Sequence, residues 1–360
     1  MLSGLVDPRA RRGRRDDLVP LVAAALAATL AGASSFVAIA SWLADQDAAT
    51  ATALGFCQRR RTPEASVFRR LFQRLDPASL DAVISVWMWT TTVTVGGRRV
   101  IALDGKTIRG ARRAGALTPH LVAAFDHLRG VVVGQLAVAD KTNEIPTVRT
   151  LLTHLAAVFD LAGSVITIDA MHCQDQTATT ITTAGADYIF TVKANRPKLR
   201  AALKALPWAE VPGHASVEKT KGRRVRRTIK TVLVPDWITF PGATQVAQLR
   251  RTVTVNGTKT IEVVYLITST NTDAADLAAM VQGHWGIENK LHYVRDVAFG
   301  QDASRIRTGH APHIMATLRN IAIGLLRLDG ATNITAALRH HNRRPDKVIT
   351  LLTSTNWTLP

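Results

Sequence analysis

The sequence predicts an α/β protein: a mixed sheet flanked by helices, led by an all-helical segment and interrupted by a β-rich insertion before its last helices. Three features predict this. Residues 1–90 repeat apolar positions at helical spacing. From residue 98, short β-branched runs alternate with helical stretches. Residues 205–265 are rich in β-branched residues, Pro and Gly, and break that alternation.

The helical segment opens with an unusual stretch, Leu18 to Leu43, which carries no charge and follows the arginine run from Arg9 to Arg15. It resembles a signal peptide or a membrane span. Pro20, Thr29, Gly32, Ser34, Ser35 and Ser41 interrupt it, however, and Ala dominates over Leu, so the expectation is a helical hairpin turned at Gly32 and buried against protein. Glu64 to Leu75 reads as a helix, with Val67, Leu71 and Leu75 four apart and Arg69, Arg70 and Arg74 on the polar side. Together with Arg59, Arg60 and Arg61, that side suits phosphates or simply water.

The strands follow as Val100–Asp104, Leu121–Phe125 and Val131–Val138, a meander. A helix from Ile145 to Phe159 buries Val148, Leu151, Leu152 and Leu155. Then come a strand at Val165–Asp169, a helix at Gln174–Ala184 and a fifth strand at Tyr188–Val192. This order, βββαβαβ, is that of the ribonuclease H-like fold. Tyr265–Ser269 closes the insertion or returns to the sheet, a helix from Asp273 continues through Glu288, and residues 306–355 look helical and basic. The expected domains are 1–92 (helical, DNA-binding or associated), 93–204 (first part of the catalytic domain), 205–265 (insertion) and 266–360 (the remainder).

Composition narrows the partners. Lys+Arg of 45 against Asp+Glu of 27 gives a net charge of +18 over 360 residues, which attracts polyanions, nucleic acid first. Basic charge for a lipid surface usually sits beside an amphipathic anchor; here it recurs along the chain. Two cysteines, Cys57 and Cys173, build neither a disulfide framework nor a cysteine-rich zinc module, and read as core residues of a cytoplasmic, nucleoid-associated protein.

Asp104 and Asp169 each end an apolar strand, followed by Gly105-Lys106 and by Ala170-Met171-His172. Open α/β sheets place ligands at the carboxyl ends of their strands. Carboxylates gathered there repel unless a divalent cation neutralises them, and Mg²⁺ prefers oxygen ligands shared with phosphate. Glu288 supplies a third acid, and helical spacing of four, four and three would put His284, Glu288, His292 and Arg295 on one face. The same spacing also permits zinc on His284, Glu288 and His292. Each acid taken singly is more often a surface cap or ion pair, a reading that their shared strand-end context weakens, and Trp208, Trp237 and Trp285 read as core residues rather than platforms for an unpaired base.

Several blocks in order resemble the DDE insertion-sequence transposases of the ISAs type, which include the H-repeat-associated proteins. They are Pro63-Glu-Ala-Ser-Val-Phe-Arg-Arg-Leu-Phe-Gln-Arg-Leu-Asp76, Ala102-Leu-Asp104-Gly-Lys-Thr-Ile-Arg-Gly110, Lys141-Thr-Asn-Glu-Ile-Pro146, Thr167-Ile-Asp169-Ala-Met-His-Cys-Gln174, Asp187-Tyr188 with Lys193-Ala-Asn195, and His284-Trp-Gly-Ile-Glu288-Asn-Lys-Leu-His292 with Asp296 and Asp302-Ala-Ser-Arg305. The resemblance implies that Asp104, Asp169 and Glu288 bind two Mg²⁺ (or Mn²⁺) ions and catalyse cleavage and strand transfer of double-stranded DNA at terminal inverted repeats, by a homodimer. Lys106, Arg109, Lys193, Asn195, Arg196, Arg223, Arg224, Arg226, His284, His292 and Arg295 would contact that DNA. Where the wider class shows Tyr, Arg and Lys around its last acid, this sequence has Val281, His284 and Arg295. The alternatives are a nuclease that cuts without joining and a domesticated DNA-binding protein.

Overall fold

A computed structural model describes residues 2–12, 14–56, 61–92, 98–115, 117–139, 144–220 and 222–354; Cys57, Arg59, Arg60 and Lys141 lie outside the described residues. The chain forms two compact units. The first comprises residues 1–93, 105–147 and 287–360, and the second residues 94–104 and 148–286.

The first unit opens with helices α1 (Leu18–Leu30), α2 (Phe36–Ala44), α3 (Ala48–Ala53), α4 (Ala65–Phe72) and α5 (Pro77–Thr91). Gly32, at φ 93°, makes the turn of the α1–α2 hairpin in a conformation that a β-carbon would strain. From Leu18 to Leu30 only Val19 is not fully buried, and α1 packs against α2 and three later helices of the same unit. Protein therefore covers α1, the first half of the charge-free stretch, while α2 buries Phe36, Ile39, Trp42 and Leu43. No helix among the described residues is long and apolar enough to cross a membrane. The helix expected to run to Leu75 ends at Phe72, and Asp76 then caps α5, accepting from Ala78 N at 3.3 Å and Ser79 N at 3.0 Å with Pro77 at the first helical position.

Strand β1 (Arg99–Thr107) belongs to both units. Its last residues join strands β2 (His120–Asp126) and β3 (Val132–Ala137), an antiparallel pair, in the first. Its first residues lie parallel to β4 (Ser164–Ile168) in the second, with Arg99 opposite Ser164 and Leu103 opposite Ile168. The second unit continues with α6 (Glu144–Val158, of which residues 148–158 lie here), α7 (Asp175–Thr183), β5 (Asp187–Val192, parallel to β4) and α8 (Pro197–Lys204). The insertion is four antiparallel strands: β6 (Gly213–Thr220), β7 (Arg223–Leu233), β8 (Gln245–Val255) and β9 (Thr258–Thr268). β9 both closes the insertion and returns to the core, pairing Val192 of β5 with Tyr265. The strand order is β3-β2-β1-β4-β5-β9-β8-β7-β6, a nine-stranded mixed sheet with the ribonuclease H-like order the sequence predicts.

Helix α9 (Ala274–His284) lays Leu277 on Val165, Ile189, Ile229, Ala247 and Leu266, forming the core of the second unit. In the first unit, α10 (Tyr293–Val297) leads to α11 (Ala311–Leu328), α12 (Ile334–Arg343) and α13 (Pro345–Ser354). α11 is buried on every side from Ala311 to Leu326, as suits the central helix of a unit. It packs closely against α5 and the residue just before β3: a β-carbon on Gly324 would stand 3.3 Å from both Met88 Cε and Val131 Cγ1.

Between these elements lies a buried polar network. Asp81 of α5 accepts from Thr317 Oγ1 at 2.7 Å and meets His313 Nε2 at 2.6 Å, and Asn320 Nδ2 donates to Gln135 Oε1 at 2.8 Å. Asp81→Ala strips His313 and Thr317 of their partner inside the unit. It should cost about 3–5 kcal/mol, measured as a fall in the urea midpoint with the slope unchanged.

Candidate active site

The strand pairing places the two aspartates. Asp104 and Asp169 are the residues that follow Leu103 and Ile168, the last matched couple of β1 and β4. Adjacent strands lie about 4.8 Å apart, so both carboxylates leave the same face of the sheet side by side. β1 does not end at Asp104 as the apolar run suggests but continues to Thr107, through Gly105 and Lys106, residues of low strand propensity that hide the continuation in the sequence.

α9 brings His284 to this face. Leu277 sits on Val165, and seven residues, two helical turns, carry the chain to His284. Its Nδ1 meets Thr167 Oγ1 at 3.0 Å and its Nε2 lies 3.5 Å from Asp169 Oδ1. Hydrogen bonding from His284 holds the Asp169 carboxyl below the usual carboxylate range against partial burial, helped by the charges of His284, Lys193 and His172. Both ring nitrogens of His284 are thus engaged within the second unit, an arrangement that does not favour the zinc reading. Asn195 Nδ2 donates to Ala170 O at 2.7 Å and ties down the turn after Asp169. Cys173 is buried, and burial pushes its thiol up to about 12, consistent with a core residue.

Glu288 belongs to the first unit. The uniform helix expected from Asp273 through Glu288 is broken: α9 stops at His284, and residues 287–292 form a π-helical turn before α10. Such turns are rare and frequently functional. Glu288 is exposed, with Oε2 3.1 Å from His292 Nδ1. His292 and Arg295 are 2% and 0% exposed, so neither presents a surface for DNA. Arg295 Nε donates to Gln301 Oε1 at 3.0 Å, and burial, with Arg319 nearby, pulls its guanidinium down to about 9.

The remaining expected contacts divide. Arg109, Lys193, Arg223, Arg224 and Arg226 are exposed. Lys106 is bound to Asp296 at 2.5 Å, and Arg196 reaches Asp175 at 2.5 Å while its guanidinium lies over Phe240. Trp208 is buried as expected, whereas Trp237 and Trp285 are 62% and 63% exposed, one in the β7–β8 connection and one just past α9.

One cluster carried no pattern along the chain. His120 Nε2 lies 2.8 Å from Glu144 Oε2 and its Nδ1 2.8 Å from Thr107 Oγ1, with the ring and the carboxylate beside Gly105. A β-carbon at Gly105 would collide with the Glu144 carboxylate and the His120 ring. Residues 13 and 24 apart in sequence give no periodic signal; the hints were the blocks containing Gly105 and Thr107 and containing Glu144.

Residues 95–325 match the family described as transposase DDE domain, and residues 1–88 match the associated DDE_Tnp_1-associated family. The chain belongs to the DDE transposases. It is 34% identical over 286 residues to the "H repeat-associated putative transposase YhhI" of Escherichia coli (strain K12), covering 74% of each chain. It is 33% identical over 283 residues to the "Putative transposase YncI" of Escherichia coli O157:H7, covering 74% of this chain and 71% of that protein. A piggyBac transposase synaptic complex with hairpin DNA, solved by cryo-EM, aligns with 99% of this chain and 79% of that one at a TM-score of 0.45 and 11% identity.

Two outcomes follow from these contacts. His284→Ala removes the bond that keeps the Asp169 carboxyl low, so NMR titration should show Asp169 protonating at higher pH. A carboxyl held low adds stability above its unfolded value of about 3.9, lost as pH falls through the folded value, and the variant should lack that contribution. Gly105→Ala should destabilise by about 1–3 kcal/mol, read by thermal melting, because Glu144 and His120 must move.

Proposed function

We propose that this transposase cuts and rejoins double-stranded DNA at the terminal inverted repeats of an insertion sequence, as a cytoplasmic, nucleoid-associated homodimer, with Asp104, Asp169 and Glu288 as its metal-binding acids. The observation that supports this most is the placing of Asp104 and Asp169 on adjacent parallel strands at the carboxyl edge of the sheet. Two carboxylates so near each other repel, and the arrangement is favourable only when cations offset that repulsion.

The donors fit Mg²⁺ or Mn²⁺: hard carboxylate oxygens, exposed at Asp169 and Glu288, leave room for water and phosphate oxygens. Two such ions, when bound, supply activation of the attacking oxygen and stabilisation of the leaving oxygen in an in-line displacement. His284 keeps the Asp169 carboxyl ionised and oriented, and Asn195 fixes the turn behind it. Arg109, Lys193, Arg224 and Arg226 supply phosphate contacts that give affinity without sequence information. Segment 1–92 and the insertion 205–265 hold the DNA, while 93–204 and 266–360 build the catalytic domain.

The test uses labelled terminal-repeat DNA, a target plasmid and Mg²⁺. Wild type should give joined product. Asp104→Asn, Asp169→Asn and Glu288→Gln should each fall to the uncatalysed background while still retarding DNA, and EDTA should abolish cutting by wild type. Cut product without joining would favour the plain nuclease. Retardation without cutting would leave only a DNA-binding protein.

A further inference from the structure

The insertion is two-faced, and its register shows how. In an antiparallel sheet, residues directly opposite share a face and the face alternates along each strand. One face carries the row Glu218, Val225, Val253, Thr260 and the row Ser216, Arg227, Arg251, Glu262. Both acids of these strands lie here. Glu218 pairs with Arg227 at 3.1 Å and Glu262 with Arg251 at 3.7 Å. Ile229 and Ala247 continue this face into the core beneath α9.

The opposite face has no acid at any position on the four strands. Its outermost row is Lys219, Arg224, Thr254, Lys259. The next is Val217, Arg226, Thr252, Ile261, and the third is Ala215, Thr228, Arg250, Val263. Lys219, Arg224, Arg226, Arg250 and Lys259 are all exposed. Val217, Ile261 and Val263 lie among them at 50%, 52% and 42% exposure. A solvated sheet face normally mixes both signs of charge and keeps its aliphatic residues on the covered side. Here both acids stand on the face that runs into the core, themselves 50% and 59% exposed, and the other face kept five exposed cations with apolar residues between them.

We infer that this acid-free face is a binding surface for the phosphate backbone of duplex DNA, formed by Lys219, Arg224, Arg226, Arg250 and Lys259 around Val217, Ile261 and Val263. Charge complementarity selects the occupant: five unneutralised cations repel a second copy of the same face, whereas a polyanion releases counterions on binding. Rows about 6.8 Å apart along extended strands give a rigid ladder of positive charge. The surface is narrower than the arginine motif suggests, because Arg223 points to the opposite face from Arg224 and Arg226. The inference rests on the reading of this chain as a DNA-acting transposase, whose acids lie outside the insertion.

The test measures binding of fluorescent duplex DNA by anisotropy over a salt series, with the full chain. The triple variant Arg224→Gln/Arg226→Gln/Arg250→Gln should weaken binding and reduce the slope of log affinity against log salt by about 2–3, near 0.9 for each lost phosphate contact. Arg223→Gln, equally exposed and adjacent in sequence, should leave the slope unchanged. Thermal melting close to wild type confirms that both variants are folded. An unaltered slope in the triple variant, or an equal loss from Arg223→Gln, overturns the surface while leaving the transposase reading intact. So does a triple variant that changes only sedimentation, which would assign the face to another copy of the chain. Failure of wild type itself to bind DNA overturns the underlying reading as well.

Discussion

The arrangement of the second unit depends on one constraint: β1 and β4 must run parallel and in register. Leu103 and Ile168 are buried partners, and the residue after each is an aspartate. Register in a buried sheet is stringent, since a slip of one residue would turn an apolar side chain out and an acid in. The apolar run therefore also aims the carboxylates. His284 reaches the same face because the apolar stripe of α9 fixes that helix two turns earlier. Packing here does the work of alignment, and chemistry uses what packing aligns.

The first unit shows how a very basic chain spends part of its charge inside. Arg295 and Arg319 are 0% and 1% exposed and share Gln301 Oε1 as an acceptor. Asp81 holds His313 and Thr317 beneath α11. Such buried networks fix one packing arrangement rather than adding much net stability. The formal charge of +18 thus overstates what a ligand meets. What matters is where cations remain without acids, and the open face of the insertion is such a place.

Much of the fold was legible. β-branched runs near residues 100, 121, 131, 165 and 188 became strands, and the stripe Val148, Leu151, Leu152, Leu155 became the buried side of α6. Periodicity reports burial well when one side of an element is buried. Four-residue spacing did bring Glu288 and His292 together, at 3.1 Å, but it gave no sign that His292 and Arg295 are buried, because spacing along a helix does not say which side of it is covered. It also misjudged Trp237 and Trp285, since a large apolar residue outside a regular element has no periodic position to reveal exposure.

By itself the sequence determined the element order, the strands that end near Asp104 and Asp169, the strongly basic balance and the family to which the chain belongs. These follow from local pattern and from motifs in linear order. The tertiary structure alone decided that His120 and Glu144 crowd Gly105, that His292 and Arg295 are buried, and that Arg223 and Arg224 face opposite ways. Contacts of that kind arise from strand register and from segments distant along the chain, and composition or spacing carries no record of either.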